Sequence, residues 1–257
     1  MKTSIDYTQF QKISKESLVA DTSISKDGVQ WFPGTVGQKI WMGKLLISAN
    51  AKSSAQHHGD ADTVHYVLDG QVTFNYGDNY ETSVTLEKGD FFYLPPYEPY
   101  KFKNDSANET TVITTMAPLF SLTNVSENGS VIKKGESGRE IKIVRAGDLN
   151  DSTKQTANLP RRTAVQTPNL WIGRVSGAPA KDSGAHHHDE AETAGFIVNG
   201  VTRIMHGENY EFYEDLTNGD FLRVPPYLPH IERNLSDANT IEFLTARNPE
   251  NLVVNLN

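Results

Sequence analysis

Two stretches of this chain align with each other without a gap: QHHGDADTVHYVLDGQVTFNYGDNYETSVTLEKGDFFYLPPYEPYKFKN at residues 56–104 and HHHDEAETAGFIVNGVTRIMHGENYEFYEDLTNGDFLRVPPYLPHIERN at residues 186–234. A constant offset of 130 residues relates them, and it also relates a tryptophan and a glycine upstream of each stretch. This period is longer than the roughly 20 to 50 residues of a solenoid repeat. The chain therefore contains a duplicated domain, and we predict domains at residues 1–125 and 126–257.

The composition is that of a soluble globular protein, with 37% hydrophobic and 22% charged residues. No apolar run approaches the roughly 18 residues that a membrane helix needs. The first residues, MKTSIDYTQF, lack the apolar core of a signal peptide. We therefore expect a cytoplasmic protein that has no membrane partner.

The chain has no cysteine and a formal net charge of −8 at pH 7. The absence of cysteine excludes disulfides, a thiolate nucleophile and a thiolate metal site, so any metal must be held by nitrogen and oxygen. A phosphate backbone needs a basic surface, which this composition does not favour. We expect a small-molecule substrate and no nucleic-acid partner.

Short strand patterns separated by turns run through both copies. TVHYVLDG at residues 63–70 is rich in β-forming residues and ends at a glycine. GDFFYLPPY at residues 89–97 begins with a turn and continues as a strand that ends at two prolines. Such spacing predicts an all-β sandwich or barrel. Residues 1–28 are predicted to supply a short helix or an edge strand. Residues 121–151 are predicted to contain the linker, with IKIVRAGDLN starting the second domain as a strand.

Both halves resemble the cupin superfamily over about residues 35–120 and 165–250, so the whole chain resembles a bicupin. The first cupin motif begins HxH and ends in a glycine, and His186 and His188 stand in this position before Gly200. The second motif is matched by Gly219, Pro225, His230 and Asn234, with Tyr227 in place of its usual glycine. The resemblance implies two tandem cupin barrels, also called double-stranded β-helix or jelly-roll barrels. It also implies association through sheet edges, so we hypothesise a homodimer.

Three histidines of the second half are the candidate metal ligands. Side chains alternate between the two faces of a strand, so His186 and His188 share a face, while the resemblance places His230 beside them. Three neutral imidazoles suit one divalent metal, for which iron is the first choice and Zn, Ni, Mn and Cu are alternatives. The competing interpretation is a surface histidine cluster without a metal.

The glutamate of the cupin motif is displaced in this sequence. The usual spacing places Thr193 at the ligand position, and the nearest acid, Glu192, comes one residue earlier, on the opposite face of a regular strand. Either a bulge turns Glu192 inward as a fourth ligand, or the site has three histidines and no carboxylate. We favour the second alternative, which resembles the cupin dioxygenases that cleave diketones, cleave gentisate or oxidise thiols.

The first half has lost most of these residues. At an offset of 130, His186, His188 and His230 correspond to Gln56, His58 and Tyr100, and Thr193 corresponds to Thr63. His65 is predicted to share the inward face of Thr63. We expect a filled barrel in which His65 and Tyr100 are packed and hydrogen-bonded. The alternative is a second ligand site built from Gln56, His58 and His65.

Three further residues are candidates for the substrate pocket of the second half. Thr193 occupies the displaced ligand position, and Tyr227 follows the two prolines at the predicted mouth of the barrel. Arg223, like Arg174 and Arg203, lies on a predicted strand, where an inward arginine would bind a substrate carboxylate or phenolate through two hydrogen bonds.

These features predict a metal-dependent enzyme that acts on a small oxygenated organic molecule. A dioxygenase is the first hypothesis, because three neutral ligands leave the ion its full positive charge for an anionic substrate. Isomerase, decarboxylase or hydratase chemistry is the alternative. The remaining hypothesis, from a different class, is a bicupin that binds a small molecule without catalysis.

Overall fold

The computed structural model describes residues 9–125 and 138–256, and its regular structure is almost entirely β-strand. The first half contains β1 (Gln11–Ile13), β2 (Val29–Val36), β3 (Trp41–Ile47), β4 (Gln56–His57), β5 (Asp62–Asp69), β6 (Gln71–Tyr76), β7 (Thr82–Glu87), β8 (Phe91–Leu94), β9 (Tyr100–Lys103), β10 (Thr110–Ala117), β11 (Thr123–Asn124) and β12 (Lys142–Val144). Two short 3-10 helices cover Lys15–Ser17 and Asp78–Tyr80. The predicted all-β class is confirmed.

The second half repeats the same series of strands: β13 (Arg161–Gln166), β14 (Trp171–Gly177), β15 (His186–His187), β16 (Glu192–Asn199), β17 (Val201–His206), β18 (Phe212–Thr217), β19 (Phe221–Val224), β20 (His230–Asn234), β21 (Ile241–Asn248) and β22 (Val254–Asn255). No helix in the described part of the chain has the length and apolar character needed to cross a membrane.

Each copy of the repeat forms one six-stranded and one five-stranded sheet. In the second copy the sheet orders are β1-β19-β16-β21-β14-β13 and β18-β17-β20-β15-β22. In the first copy they are β12-β8-β5-β10-β3-β2 and β11-β4-β9-β6-β7. The paired strands run antiparallel, as in a two-sheet jelly roll. The two predicted cupin barrels are confirmed at the level of fold.

The chain divides into two compact units whose boundaries differ from the predicted domains. Among the described residues, the C-terminal unit comprises 9–18, 35–40 and 149–256, and the N-terminal unit comprises 19–34, 41–125 and 138–148. Residue 126, where the predicted second domain begins, lies outside the described residues.

The exchange of two strands explains this difference. β1 lies in the first predicted domain, yet it pairs with β19 of the C-terminal unit as an edge strand. β12 lies within IKIVRAGDLN, the segment predicted to start the second domain, yet it pairs with β8 of the N-terminal unit. In both cases backbone hydrogen bonds to an available sheet edge decide where the segment lies, and side-chain periodicity does not identify that edge.

Alternation along the strands separates an inner face from an outer face in the C-terminal unit. On β19, Leu222 and Val224 pack in the hydrophobic core together with Trp171, whereas the side chain between them, Arg223, points to the other face. Gly200 forms the one-residue connection between β16 and β17 with a φ of +93°, a conformation that favours glycine. Alternation along β19 therefore places Leu222 and Val224 in the barrel interior and Arg223 on the opposite face of the sheet.

Candidate metal centre in the C-terminal barrel

The structure brings the three predicted histidines together. His186 on β15 pairs directly with His230 on β20, and His188 lies two residues further along on the same face as His186. One ring nitrogen from each histidine lies within 4.8 Å of the others, and all three side chains are buried. Alternation placed His186 and His188 on one face and the cupin resemblance placed His230 beside them, and the structure has the three residues in this arrangement.

Backbone carbonyls hold the three rings in one tautomer. The Nδ1 atoms of His186, His188 and His230 lie 2.9, 2.8 and 2.8 Å from the carbonyl oxygens of Gly184, Leu252 and Leu228. A carbonyl only accepts, so each Nδ1 carries the hydrogen and each Nε2 presents a lone pair. Metal-binding histidines are oriented by hydrogen bonds of this kind.

Burial favours the neutral imidazoles of His186 and His188, the form that a metal requires. Desolvation lowers the pKa of His186 to about 4 and the pKa of His188 well below its usual value. Among the described residues, the Nε2 atoms of His186 and His230 have no hydrogen-bond partner. Buried polar atoms without a partner are uncommon in folded proteins. Two lone pairs are thus directed into the cavity without a protein donor.

A carboxylate that we did not predict lies beside the histidines. Glu232 follows His230 by two residues on β20, so both side chains face the interior. Its Oε2 lies 3.7 Å from Nε2 of His186 and its Oε1 lies 3.6 Å from Nε2 of His230. The hydroxyl of Ser183 donates to Glu232 at 2.8 Å.

Electrostatics favours the ionised form of Glu232. Burial by itself raises its pKa, but the positive charges that His186 and His230 carry when protonated, together with the charge of Arg161, outweigh this effect and hold the pKa well below its usual range. Two ligands of one ion at about 2.1 Å lie at most about 4.2 Å apart, and the distances from Glu232 to the two histidines meet this limit. Glu232 is therefore the carboxylate that lies beside His186 and His230.

Glu192 does not approach the histidines, so its assignment as a fourth ligand is wrong. β16 keeps a regular register at Glu192 and Thr193, and its only irregularity lies farther along, so no bulge turns Glu192 inward. Its carboxylate accepts hydrogen bonds from the backbone N–H groups of Gln38 and Lys39 at 3.2 and 2.6 Å, and from Nε of Arg223 at 2.5 Å. Glu192 and Arg223 therefore form a buried ion pair on the face of the sheet that points away from the histidines.

A small cavity adjoins the histidines, and it contains only one of the three predicted pocket residues. Thr193 lines it, whereas Arg223 faces outward and Tyr227 is 59% exposed beside His187. The pocket role of Arg223 and Tyr227 is therefore wrong. The cavity of about 20 Å³ is lined by His188, His230, Thr193, Glu232, Arg161, Arg247, Thr245 and the apolar residues Val175, Ile204, Leu222, Val224 and Phe243.

The other two arginines considered from the sequence also lie outside the cavity. Arg174 forms an ion pair with Glu242, and Arg203 forms a two-pronged ion pair with Asp215. These contacts are cross-strand or neighbouring-strand pairs at partly exposed positions. Neither arginine is available to a ligand in the barrel.

Two arginines that we did not predict line the cavity instead. Arg247 donates to the Thr193 hydroxyl at 3.2 Å and to Nε2 of His188 at 3.0 Å, and its guanidinium stacks 5.3 Å from the Trp171 ring centre. It also donates to the side-chain carbonyl of Asn251. Arg161 is 1% exposed, and burial lowers its pKa to about 10.

A comparison of the two copies could have found these residues. At an offset of 130, Arg161 corresponds to Trp31, Arg247 to Ala117 and Glu232 to Phe102. Each position is charged in the copy with three histidines and apolar in the other copy. The spacing of two residues between His230 and Glu232 was a second signal, because it places both side chains on one face.

The N-terminal barrel has a tyrosine hydroxyl where the histidines of the other barrel converge. The Tyr100 hydroxyl lies 2.9 Å from Nε2 of Gln56, 2.7 Å from Nε2 of His58 and 2.9 Å from Nε2 of His65. All four side chains are buried. The packed and hydrogen-bonded arrangement expected for His65 and Tyr100 is the one that the structure shows.

Donor and acceptor roles in this network are mutually consistent. His58 donates from Nδ1 to the Ser121 carbonyl, so its Nε2 accepts the Tyr100 hydrogen. His65 then donates from Nε2 to the Tyr100 oxygen and accepts from the Thr114 hydroxyl at Nδ1. Thr63 is also buried, and its hydroxyl has no partner among the described residues. No lone pair of these histidines remains for a metal.

Comparisons with known proteins agree with this architecture. A model of the cupin domain matches residues 45–116. Residues 45–116 are thus similar to the cupin domain, in agreement with the predicted cupin fold. The matched region lies in the barrel that lacks the three histidines, so the second cupin barrel is recognised from the internal repeat and from its fold. No curated protein matches the chain.

Several solved bicupin-like structures share the fold over nearly the whole chain. The protein Ylba of E. coli superimposes with a TM-score of 0.72 at 13% identity, covering 96% of this chain and 94% of Ylba. Oxalate decarboxylase of Bacillus subtilis gives 0.69 at 12% identity, covering 95% of this chain and 79% of that enzyme. AerE of Microcystis aeruginosa gives 0.68 at 15% identity, covering 92% and 98%. At these identities the similarity establishes the fold alone.

Proposed function

We propose that the C-terminal barrel binds one divalent metal ion through Nε2 of His186, His188 and His230, with Glu232 as an oxygen ligand, and that the chain is a metal-dependent enzyme acting on a small oxygenated organic molecule. The observation that carries this proposal is the set of fixed tautomers, which leave a lone pair on Nε2 of each histidine. Among the described residues, the Nε2 atoms of His186 and His230 have no protein donor, and metal binding to His188 would replace its contact with Arg247. The competing interpretation of a surface histidine cluster does not fit residues that are 0–2% exposed.

Three imidazoles and a carboxylate suit Fe, Mn, Zn, Ni or Cu, because nitrogen and oxygen donors accommodate all of these ions. Among the similar structures, Bacillus subtilis oxalate decarboxylase is described as having Mn(II) centres. Manganese therefore joins iron as the first ion to test. A bound divalent ion would polarise an oxygen of the substrate or activate dioxygen.

Glu232 changes the order of the reaction hypotheses. The preference for a dioxygenase depended on a site without a carboxylate, and a carboxylate lies beside two of the histidines. We therefore place isomerase, decarboxylase or hydratase chemistry first and a dioxygenase second. In either case Arg161, Arg247 and Thr193 form the polar wall that orients the substrate. Association as a homodimer remains a prediction.

Metal analysis of the full chain tests this proposal. After reconstitution with Mn(II), Fe(II) or Zn(II) and removal of free ion, we expect about one ion per chain, and His230→Ala should abolish binding. His187→Ala is the matched control, because His187 lies between two proposed ligands but points to the other face. Wild-type protein without stoichiometric metal, or His230→Ala with full occupancy, would refute the site. Oxygen uptake during turnover would then favour the dioxygenase.

A further inference from the structure

We propose that the C-terminal barrel binds a small carboxylate anion between the guanidinium groups of Arg161 and Arg247. This inference rests on the proposed function, because it names the substrate class of the same cavity. It depends on charges and hydrogen bonds of residues outside the cupin motifs.

Arg161 is a buried cation that the charge of Glu232 attracts but that forms no hydrogen bond or ion pair with a carboxylate among the described residues. Its Nε has no hydrogen-bond partner in the described part of the chain, and one guanidinium N–H lies 3.5 Å from the Leu159 carbonyl. None of the ion pairs found among the described residues includes Arg161. A guanidinium has five N–H donors, so most of its capacity is available to a ligand.

Arg247 is held in place by neutral partners. It contacts the Thr193 hydroxyl, the Asn251 side chain, Nε2 of His188 and the face of Trp171. These contacts fix the orientation of the guanidinium but do not compensate its charge. Metal binding to His188 would free one N–H of Arg247 for a ligand, while the contacts to Thr193, Asn251 and Trp171 would still orient the guanidinium.

The charge balance of the cavity requires an anion. Two guanidinium groups and the single carboxylate of Glu232 leave one uncompensated positive charge, and a bound divalent ion would raise this to three. Buried charges are unfavourable unless they are paired. A carboxylate offers two oxygens that match the planar donors of arginine, and it also supplies an oxygen that suits a divalent metal.

The cavity limits the size of this anion and suggests its route of entry. Its volume of about 20 Å³ is only enough for about one water molecule, so the walls must move apart to admit even a short carboxylate. Arg161 also lines an open surface groove together with Gln155, Thr156 and Asn158. A short carboxylic acid entering from this groove would meet Arg161 before it reaches the histidines.

The internal repeat gives independent support. The barrel without the three histidines has Trp31 and Ala117 at the positions of Arg161 and Arg247. Both arginines therefore occur only in the copy that has the proposed metal ligands. A purely structural role in the barrel would not require this association.

Calorimetric titration of the Mn(II)-loaded full chain with malonate tests the proposal, with the neutral malonamide as the matched ligand. We expect malonate to bind and malonamide not to bind. Arg161→Met and Arg247→Lys should each weaken malonate binding tenfold to a hundredfold while the manganese content stays unchanged. Arg162→Met is the control, because Arg162 is the exposed neighbour of Arg161 on β13.

The outcomes separate this inference from the proposed function. Equal malonate affinity in wild type and both variants would overturn the role of the arginines, and equal binding of malonamide would overturn the carboxylate class. Absence of manganese from the wild type would refute the proposed function. In that case arginine-dependent malonate binding to the metal-free chain would still support this inference, and its absence would refute it. Circular dichroism confirms that each variant is folded.

Discussion

Replacing Glu192 by alanine should destabilise the C-terminal unit without removing its metal. The carboxylate is 1% exposed and accepts three hydrogen bonds, from Arg223 and from the backbone of Gln38 and Lys39. Removing one partner of a buried ion pair costs about 3–5 kcal/mol. Gln38 and Lys39 are exposed residues, so water can satisfy their N–H groups and the additional cost is small.

We therefore expect a loss of about 4 kcal/mol in the free energy of unfolding and a fall in Tm of roughly 10 °C. Urea unfolding followed by circular dichroism measures the first quantity, and metal analysis of the folded variant measures occupancy. Glu190→Ala is the control, because Glu190 is a nearby exposed acid. A variant with wild-type stability would refute the structural role of Glu192. A stable variant that had lost its metal would restore Glu192 as a ligand.

Three further predictions concern the interiors of the two barrels. Arg161→Met should raise the free energy of unfolding of the metal-free chain by about 1–3 kcal/mol, because it removes a buried cation that forms no hydrogen bond or ion pair with a carboxylate in the described part of the chain, and a lower urea midpoint would contradict this. Tyr100→Phe should destabilise the N-terminal barrel by about 2 kcal/mol, because Gln56, His58 and His65 lose the hydroxyl they share, yet metal content should not change. Acid should destabilise the same barrel, because burial lowers the pKa of His58 from 6.5 to about 4. Between these pH values the unfolded chain binds a proton at His58 and the folded barrel does not. The free energy of unfolding should therefore fall by roughly 3 kcal/mol as the pH falls from 6.5 to 4. A urea midpoint that stays constant over this pH range would refute the last prediction.

The positions of the histidines were predictable because strand periodicity is local. Side chains two residues apart share a face whatever the rest of the chain does, so His186 and His188 had to converge if one of them pointed inward. The same rule excluded Glu192 from the interior in the absence of a bulge. It would also have placed Glu232 beside His230, but the family motif directed the search for a carboxylate to another strand.

Arg161 and Arg247 were not predictable from a motif because they reach the cavity from strands far away in sequence. β13 and β21 both pair with β14, and only this three-dimensional arrangement brings the two guanidinium groups to one wall. A charged residue on a strand is usually solvated, so its type alone does not indicate an inward position. Burial and the partners of each guanidinium distinguish these arginines from the surface pair of Arg203.

By itself, the sequence determined the duplication, the all-β class and the three converging histidines, because repeats, turns and alternation are properties of neighbouring residues. Tertiary structure decided where β1 and β12 pair, and it showed that Glu232 lies beside the histidines and that Arg161 and Arg247 face the cavity, positions that the sequence indicated only as differences between the two copies. These depend on contacts between residues separated by tens to hundreds of positions, such as Glu192 with Lys39 and β1 with β19. The energy of such contacts comes from burial and hydrogen bonding across strands, which no local pattern encodes.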